Sequence, residues 1–428
     1  MTTLSFEKIQ EQLDLTRQAA RKLAFASTAQ KNAALQAMGE ALLASSDMIL
    51  RENTLDCEMA AQNGQSDSRI DRLRLTKERL ESIVQGIHEV IDLPDPIGEV
   101  MTSFEGDQAI QIAKVRVPLG VIAMIYEARP NVTVDAAALT LKSGNAVILR
   151  GGKEAIRSNI ALVHALQQGL NEAGLPIHCV SFIEQVERET IDVLLKARGK
   201  VDLIIPRGGA GLINHVVENS VVPVIETGVG NCHVYVDEDA DLAMALAIID
   251  NAKTQRPSVC NAIETVLLHS SIAERFLPDL MARLTEKQVE VRLCDKSFAM
   301  LQSTEFAGSP WLTMAQESDY ETEFLDLILA VKIVDHLDQA LEHIYRYGTK
   351  HSEAIVTADE QKARRFLQEV DAAAVYHNAS TRFTDGFEFG FGAEIGISTQ
   401  KLHARGPMGL PELTSYTYRI RGQGQIRP

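Results

Sequence analysis

One cysteine of the chain lies in a sequence context that suits a nucleophile. Cys260 follows the polar stretch "TQRPS" (254–258) and precedes the apolar run "AIETVLLH" (262–269). Pro257 interrupts the preceding helical pattern, and Arg256 places a guanidinium four residues before the thiol. A loop-borne thiol near a cation can have a lowered pKa and more of the reactive thiolate. These residues alone leave two alternatives open, a nucleophile and a structural thiol, because free cysteine usually packs as a small hydrophobe.

Two glycine-rich turns suit the phosphate groups of a nucleotide. Gly208, Gly209 and Gly211 lie between a predicted strand and a predicted helix, whose first backbone N–H groups favour an anion. Arg150 and Lys153 flank two more glycines at a comparable turn. Ligands of open parallel sheets bind beyond the carboxyl ends of the strands, where both turns would lie. Neither turn has the full dinucleotide motif, so plain strand–helix turns stay an alternative, but two turns with cations favour a nucleotide.

An irregular stretch near the C-terminus gathers cations, hydroxyls and glycines. Residues 376–409 include Thr381, Arg382 and Arg405 and show no regular pattern. A guanidinium grips a carboxylate or phosphate with two parallel hydrogen bonds, so this stretch suits an anionic substrate. The alternative is an ordinary surface loop, although long irregular loops in compact domains are often functional. For Arg405 we expect a salt bridge between domains.

Other sequence motifs of catalysis are missing. Zinc-type spacings, a nucleophilic serine elbow and a Walker lysine are all absent from the sequence, so we expect no metal site. The remaining cysteines fit reduced, structural thiols, because the total is odd and the positions are scattered: Cys57, Cys179, Cys232 and Cys294. Three histidines fit a helix, a strand and a loop better than catalytic bases: His215, His233 and His403.

The composition is that of an ordinary globular protein. The chain has 428 residues, which predicts two or three domains, and 45% of them are hydrophobic. Its formal charge of −16 argues against nucleic acid or an anionic membrane surface as a partner. The N-terminal residues lack a secretory pattern, and no apolar run is long enough to span a bilayer, so we expect a cytoplasmic protein.

Hydrophobic periodicity predicts an α/β protein. Residues 4–92 follow a helical pattern that ends at the prolines of 93–99, and 100–118 resembles a hairpin. From residue 119 onward short apolar runs alternate with helical patterns, including strands at "VVPVIETG" and "AIETVLLH", which predicts a doubly wound parallel sheet. A last strand near 413–424 needs a partner, either the hairpin or a neighbouring subunit.

Five blocks, in this order, resemble the aldehyde dehydrogenase superfamily, and within it the branch that reduces an acyl phosphate. They cover residues 117–155, 202–212 ("DLIIPRGGAGL"), 251–265 ("NAKTQRPSVCNAIET"), 378–386 ("NASTRFTDG") and 398–410 ("STQKLHARGPMGL"). The similarity spans nearly the whole chain. It implies an aldehyde dehydrogenase-like α/β fold with a Rossmann-like cofactor domain, an α/β catalytic domain and a small β oligomerisation element.

The resemblance also implies domain limits. An NADP-binding domain would comprise 1–97 and 118–228, and a catalytic domain with the nucleophilic cysteine 229–401. The hairpin 98–117 and the C-terminal strand in 412–428 would form the oligomerisation element of a homo-oligomer.

The implied reaction is the NADPH-dependent reduction of L-glutamate 5-phosphate to L-glutamate 5-semialdehyde, with release of phosphate, the second step of proline biosynthesis from glutamate. Cys260 would be the nucleophile and carry a thioester. No kinase-like segment is fused to this sequence, so a separate glutamate 5-kinase would supply the acyl phosphate. Whether that kinase associates with this chain stays open.

The resemblance assigns further roles. Asn131 would be the side-chain amide facing the oxyanion, and Glu323 would contact the nicotinamide ribose. Glu226 falls near the glutamate with which hydrolytic relatives activate water, which a reductive route does not need. Arg150 and Lys153 stand where relatives often carry Lys-Pro-x-Glu, and a cation there favours the 2′-phosphate of NADP. Three residues would hold the substrate's anionic groups: Arg256, Thr381 and Arg382.

Two other functions fit the same sequence. One is a hydrolytic or CoA-acylating aldehyde dehydrogenase, which would turn over an aldehyde without phosphate. The other is a catalytically silent nucleotide-binding or scaffold protein, against which the intact Cys260 argues.

Overall fold

The protein, described from a computed structural model, has two compact units; the structure describes residues 3–127 and 129–427. Unit 1 takes in the chain up to Thr227, Gly390–Gly396 and the residues from Met408 onward. Unit 2 comprises Gly228–Phe389 and Ile397–Pro407. Each unit is built around its own parallel sheet.

The described residues form fourteen α-helices and sixteen strands. The helices are α1 (Thr3–Leu23), α2 (Thr28–Ala44), α3 (Ser46–Gln62), α4 (Asp67–Leu73), α5 (Lys77–Asp92), α6 (Pro130–Lys142), α7 (Ile156–Glu172), α8 (Glu189–Leu195), α9 (Ala210–Asn219), α10 (Leu242–Thr254), α11 (Ser270–Glu286), α12 (Asp295–Leu301), α13 (Leu337–Tyr347) and α14 (Glu360–Glu369). The strands are β1 (Val100–Glu105), β2 (Gln111–Pro118), β3 (Val121–Tyr126), β4 (Ala146–Arg150), β5 (Val180–Phe182), β6 (Leu203–Arg207), β7 (Cys232–Val236), β8 (Ile263–His269), β9 (Glu290–Leu293), β10 (Leu312–Met314), β11 (Ile328–Val334), β12 (Ser352–Val356), β13 (Ala374–His377), β14 (Ile397–Ser398), β15 (Gly406–Pro407) and β16 (Thr414–Arg421).

Helices α1 to α5 occupy the stretch that the periodicity predicts as helical. Two of these helices begin with ordinary N-caps. The Ser27 side chain before α2 accepts from the N–H of Gln30 in a capping box, and the Thr76 side chain before α5 accepts from the N–H of Arg79. Where α7 crosses α2, a Cβ on Gly169 would lie 2.5 Å from the backbone of Met38, so only glycine permits this close approach.

The four-stranded sheet of unit 1 is parallel in the order β5-β4-β3-β6. The chain adds β4 and β5 on one side of β3 and then returns to place β6 on the other. The strand order therefore reverses between β3 and β6, and such a switch point opens a crevice at the carboxyl ends of the strands. All residues of β3 and β4 are buried, which explains their continuous apolar runs.

A second sheet of unit 1 is antiparallel in the order β1-β2-β16. Strand β16 pairs with β2 along its whole length, from Thr414 opposite Pro118 to Arg421 opposite Gln111. The hairpin is thus the partner of the C-terminal strand within this chain. Every residue of β1 is exposed, as is every residue of β16 after Thr414.

Unit 2 holds a seven-stranded parallel sheet in the order β10-β9-β11-β8-β7-β12-β13. Successive residues of β7 point to opposite faces. Val234 and Val236 pack in the core with α10 and α11, whereas Tyr235 packs in a second core with α13 and α14. The two parallel sheets, each with packed helices, confirm the predicted α/β class.

One predicted strand does not form as a continuous strand. In "VVPVIETG" only isolated bridge residues occur, and one of them pairs Val224 with Ile204 of β6. Pro223 lacks an N–H and offers only its carbonyl, which accepts from Ile204, so a longer ladder cannot form here. Among the described helices, none is long and apolar enough to cross a membrane.

Candidate active site

Cys260 lies on a short loop at the amino end of β8. Helix α10 ends at Thr254, and its last backbone hydrogen bond runs from the N–H of Gln255 to the carbonyl of Asn251. Pro257 then prevents the helix from continuing. The chain turns through 257–261 and enters β8, in which every residue is buried. Cys260 and Cys294 are partly exposed, whereas Cys57, Cys179 and Cys232 are buried.

A neighbouring loop is packed against the backbone of Cys260. A Cβ on Gly230 would lie 1.6 Å from the carbonyl oxygen of Cys260, so the residue must be glycine. Its N–H donates to Glu323 Oε1 at 2.7 Å, and burial raises the pKa of that carboxyl. Cys232 Sγ donates to the same Cys260 carbonyl at 3.2 Å. These contacts fix the backbone that carries Cys260, the predicted nucleophile.

Two arginines accompany the thiol. Arg382 is half-buried, and burial lowers the pKa of its guanidinium. Arg256 and Cys260 are both near enough to shift that pKa electrostatically, in opposite directions. Arg256 itself is exposed. Unit 2 thus brings the predicted nucleophile and two predicted anion-binding side chains into one loop cluster.

Thr381 has a structural contact inside this cluster. Its side chain is fully buried, and its hydroxyl donates to the carbonyl of Asn261 at 2.6 Å. The hydroxyl therefore joins the 380–384 turn to the loop that carries Cys260. Direct contact of Thr381 with substrate stays a prediction.

A buried ion pair lies behind the loop. Lys253 on α10 and Glu264 on β8 have no exposed side-chain surface, and Lys253 Nζ lies 2.5 Å from Glu264 Oε2. Lys253 also donates to the carbonyl of Ile263 at 3.0 Å, and Glu264 Oε1 accepts from the N–H of Leu325 at 3.2 Å. Burial raises the pKa of Glu264 to about 7 and lowers that of Lys253.

A network of hydrogen-bonded hydroxyls includes Thr384 of the 380–384 turn. Thr384 Oγ1 lies 2.7 Å from both Ser352 Oγ and Tyr376 Oη. Ser352 Oγ is 2.8 Å from Nδ1 of His351, a fully buried ring whose pKa burial lowers to about 4. His351 is therefore neutral at physiological pH. The network joins β12, β13 and the turn.

Unit 1 places the glycine turn at its topological switch point. Gly208 and Gly209 follow β6 directly and are exposed, and Gly209 is the residue before α9, where no side chain caps the helix. A Cβ on Gly208 would lie 2.8 Å from the Glu127 carboxyl carbon, so the turn is kept narrow. Gly211 lies in the first turn of α9 with open space above it. This geometry leaves the start of α9 accessible to an anion.

The two predicted cations after β4 differ in their surroundings. Arg150 is 8% exposed, and its guanidinium donates to the carbonyls of Gly151 at 3.2 Å and Val186 at 2.8 Å. Burial lowers its pKa. Lys153 is exposed at the start of a 3-10 turn. Lys153 is thus the cation presented to solvent, while Arg150 braces the turn.

The remaining predicted residues are distributed between the units. Asn131 is exposed near the start of α6, where its amide donates to Asp135 Oδ2 at 3.1 Å. Glu226 is half-buried just before the end of the first segment of unit 1. Unit 1 holds Asn131, Arg150, Lys153, Gly208, Gly209 and Gly211, and unit 2 holds Cys260, Arg256, Glu323, Thr381 and Arg382.

Arg405 forms a salt bridge, as predicted, but inside unit 2 rather than between domains. Its Nη2 lies 2.8 Å from Asp371 Oδ1, and Arg405, with Lys401 and Lys350, holds the pKa of Asp371 down at about 2.

Sequence reasoning missed Asn261 and Gly230. An amide directly after the candidate nucleophile, and a glycine just before an all-buried strand, were the available signals. Across the described part of the chain, no cluster of three or more potential metal ligands occurs.

Comparison with known proteins decides the family. The model of the aldehyde dehydrogenase family matches residues 2–300. The gamma-glutamyl phosphate reductase of Clostridium kluyveri is 58% identical over 422 residues, which is 99% of both chains. This chain belongs to the aldehyde dehydrogenase family, among its gamma-glutamyl phosphate reductases. Both the predicted superfamily and the predicted branch are thereby confirmed.

Further relatives agree. The gamma-glutamyl phosphate reductase of Moorella thermoacetica is 56% identical and covers 98% of this chain and 99% of its own length. The crystal structure of the Thermotoga maritima gamma-glutamyl phosphate reductase aligns with a TM-score of 0.94 at 47% identity, over 98% of this chain and 99% of that one. The predicted enzyme class, an oxidoreductase of the aldehyde dehydrogenase family, follows from this membership.

Proposed function

We propose that this chain catalyses the NADPH-dependent reduction of L-glutamate 5-phosphate to L-glutamate 5-semialdehyde and phosphate, a step of proline biosynthesis. One observation carries the proposal beyond family membership. The partly exposed Cys260 thiol shares its loop cluster with two guanidinium groups, Arg256 and Arg382. A substrate with a carboxylate and a phosphate needs such local cations in a chain whose net charge is −16.

Chemistry at Cys260 follows from its thiol. The Cys260 sulfur attacks the acyl carbon, the bond from that carbon to the phosphate oxygen breaks, and phosphate leaves as a thioester forms. After hydride addition at the same carbon, the C–S bond breaks, the aldehyde departs and the Cys260 thiolate is restored. Backbone N–H groups of the surrounding loop suit the oxyanion, and Asn131 stays a predicted contributor.

The nicotinamide cofactor fits the glycine turn of unit 1. The turn is exposed at the switch point of the sheet, and open space lies above Gly211 at the start of α9. NADPH, when bound, supplies the hydride. Gly208, Gly209 and Gly211 would hold its pyrophosphate, and the exposed Lys153 would meet the 2′-phosphate. Glu323 is our candidate for the nicotinamide ribose; it also holds the Gly230 loop at 2.7 Å.

The proposed roles of the two units follow from these placements. Unit 1 would bind NADP, unit 2 would carry the nucleophile, and the sheet β1-β2-β16 would join copies of the chain in a homo-oligomer. We place the enzyme in the cytoplasm, where a glutamate 5-kinase would supply its labile substrate.

The phosphate requirement of the reverse reaction tests the proposal. Purified protein is given L-glutamate 5-semialdehyde and NADP or NAD, with and without inorganic phosphate, and reduced cofactor is followed by absorbance. We expect turnover only with phosphate and faster with NADP. Turnover without phosphate would make this chain a hydrolytic enzyme, and turnover that needs CoA would make it an acylating one.

A further inference from the structure

We propose that Asn261 is a positioning residue that holds the guanidinium of Arg382 beside Cys260 without neutralising its charge. The inference rests on the proposed function in one respect, that the substrate is an anion. It adds a residue to the site and a reason for that residue to be an amide.

Asn261 uses its side chain and its backbone to join two loops. Its side chain is 3% exposed. Nδ2 donates to the carbonyl of Thr384 at 2.9 Å, Oδ1 accepts from Arg382 Nη1, and its own carbonyl accepts from Thr381 at 2.6 Å. The residue directly after the nucleophile therefore fixes the turn that carries the anion-binding arginine.

The second partner of Arg382 is also an amide. Its Nε donates to Gln255 Oε1 at 2.9 Å. Among the residues that the structure describes, Arg382 forms no salt bridge with a carboxylate, and Asp385 and Glu388 act on it only through their fields. A guanidinium has five N–H donors, so two amides leave most of the fork unused. The guanidinium of Arg382 is thus oriented through its Nε and Nη1 atoms, and neither amide partner neutralises its charge.

Stability alone would favour a different partner. A half-buried guanidinium is better compensated by a carboxylate, which supplies a charge-assisted hydrogen bond, than by a neutral amide. A carboxylate would, however, compete with any anion brought to Cys260. The neutral amides therefore fit a side chain whose charge is reserved for a ligand.

The substitution Asn261→Asp separates these roles. It keeps the acceptor for Arg382 but turns it into an ion pair, and it removes the donor to Thr384. Asn378→Asp is the matched control in the same unit. Asn378 Nδ2 donates to the carbonyl of Thr357 at 3.0 Å, and its Oδ1 accepts from the Thr357 N–H, with no arginine present. Both variants lose an amide group that donates to backbone carbonyl oxygen, from Asn261 to Thr384 and, at 3.4 Å, to Arg382, and from Asn378 to Thr357.

Alkylation of Cys260 reports the local charge without cofactor or substrate. Each protein is treated with iodoacetate, an anion, or with neutral iodoacetamide, and modified peptides are quantified by mass spectrometry. Both reagents react with the thiolate, so the ratio of their two rates does not depend on the thiolate fraction of Cys260. Cys294, which is also partly exposed, serves as an internal reference in the same unit.

We expect Asn261→Asp to lower the iodoacetate-to-iodoacetamide ratio at Cys260 by about fivefold or more, because the new carboxylate cancels the arginine. The ratio at Cys294 and both ratios in Asn378→Asp should stay at their wild-type values. In the phosphate-dependent assay the same variant should raise the KM for inorganic phosphate about tenfold, with a smaller change in kcat.

An unchanged ratio at Cys260 in folded Asn261→Asp would overturn the proposal, as would an equal loss in Asn378→Asp. If Asn261→Asp fails to fold, Asn261→Gln and Arg382→Gln are tested instead. An iodoacetate-to-iodoacetamide ratio at Cys260 that stays at the wild-type value in both of these variants would equally contradict the proposal. If the ratio is lowered in Asn261→Asp but the wild-type protein shows no phosphate-dependent turnover, the proposed reaction is contradicted and the positioning role of Asn261 is still supported.

Discussion

At the residue scale, the groups around Cys260 divide into buried anchors and exposed charges. Asn261 and Thr381 are buried and bonded to backbone, whereas Arg256 is exposed. Anchors of this kind keep the loop backbone rigid, and preorganised sites lose little free energy to rearrangement when the substrate binds. A substitution among the anchors should therefore alter positioning, and one among the exposed cations should alter affinity.

Lys153 belongs to the exposed cations, on the cofactor side. We predict that Lys153→Glu weakens NADPH binding at least about tenfold and NADH binding much less, because only NADPH carries the 2′-phosphate. Equilibrium titration of the purified protein by cofactor fluorescence measures both affinities. Lys22→Glu, at an exposed lysine on α1, is the control for net charge. Equal losses for the two cofactors would refute the assignment of Lys153.

His351 makes the stability of the protein depend on pH. Burial lowers its pKa to about 4, whereas an unfolded histidine titrates near 6.5. Below about pH 6.5 the unfolded chain binds a proton that the folded ring refuses, so this contribution to stability is complete above pH 6.5 and is lost as the pH falls toward 4. Between pH 8 and pH 5 the loss is about 2 kcal/mol.

Urea unfolding at pH 8 and at pH 5 measures that loss. His351→Asn keeps a polar atom near the position of Nδ1 for Ser352 but cannot titrate, so its free energy of unfolding should fall by about 2 kcal/mol less than that of the wild type. His164→Asn, on the exposed face of α7, should behave as the wild type. A pH dependence in His351→Asn as steep as in the wild type would contradict the role of the buried ring.

At the scale of elements, α10 and β8 are joined by charge as well as by apolar packing. The pair Lys253–Glu264 has no exposed side-chain surface, and each member has a further backbone partner. Removing one member of a buried ion pair leaves an uncompensated charge, which costs more than the pair itself is worth. The junction that carries Cys260 is thus sensitive to either residue.

We predict that Lys253→Met lowers the free energy of unfolding by about 3–5 kcal/mol, since it strands the Glu264 carboxyl. The double variant Lys253→Met with Glu264→Gln should recover most of that loss, because the amide still accepts from Leu325 and carries no charge. Chemical denaturation of both proteins at pH 8 provides the comparison. A double variant that is no more stable than the single one would show that packing, and not charge, sets the cost.

The sequence predicts elements better than it predicts their partners. Buried runs such as β3 and β8, and the helical region before residue 93, follow from periodicity alone because each pattern is local. The bond between Asn261 and Arg382 spans 121 residues, and the reversal of strand order between β3 and β6 depends on the whole unit. No local pattern encodes either, and only the resemblance predicted that Arg382 and Cys260 belong to one site.

At the scale of the whole molecule, the sheet β1-β2-β16 has more exposed apolar surface than a free edge should have. Phe104 is 52%, Tyr418 53% and Ile420 62% exposed. Contiguous apolar patches on a soluble protein mark interaction sites, and an uncovered edge strand invites pairing. The predicted assembly through this sheet would cover both features.

Ile420→Lys should weaken assembly and lower the molar mass seen by light scattering after size-exclusion chromatography, because it places a charge in the contact. Phe25→Lys is the control, since Phe25 is 90% exposed far along the chain from this sheet. If the wild type is monomeric, or if both variants keep the wild-type mass, the sheet is not the assembly surface.

Detection of an acyl-enzyme on Cys260 tests the proposed reaction most directly. Protein is mixed with freshly made L-glutamate 5-phosphate in the absence of NADPH, quenched in acid, and analysed for released phosphate and for modified peptides. We expect a burst of one phosphate per active site and a glutamyl thioester on Cys260 that disappears when NADPH is added, with neither signal in Cys260→Ala. Phosphate release without a thioester on Cys260, or an equal burst in Cys260→Ala, would contradict it.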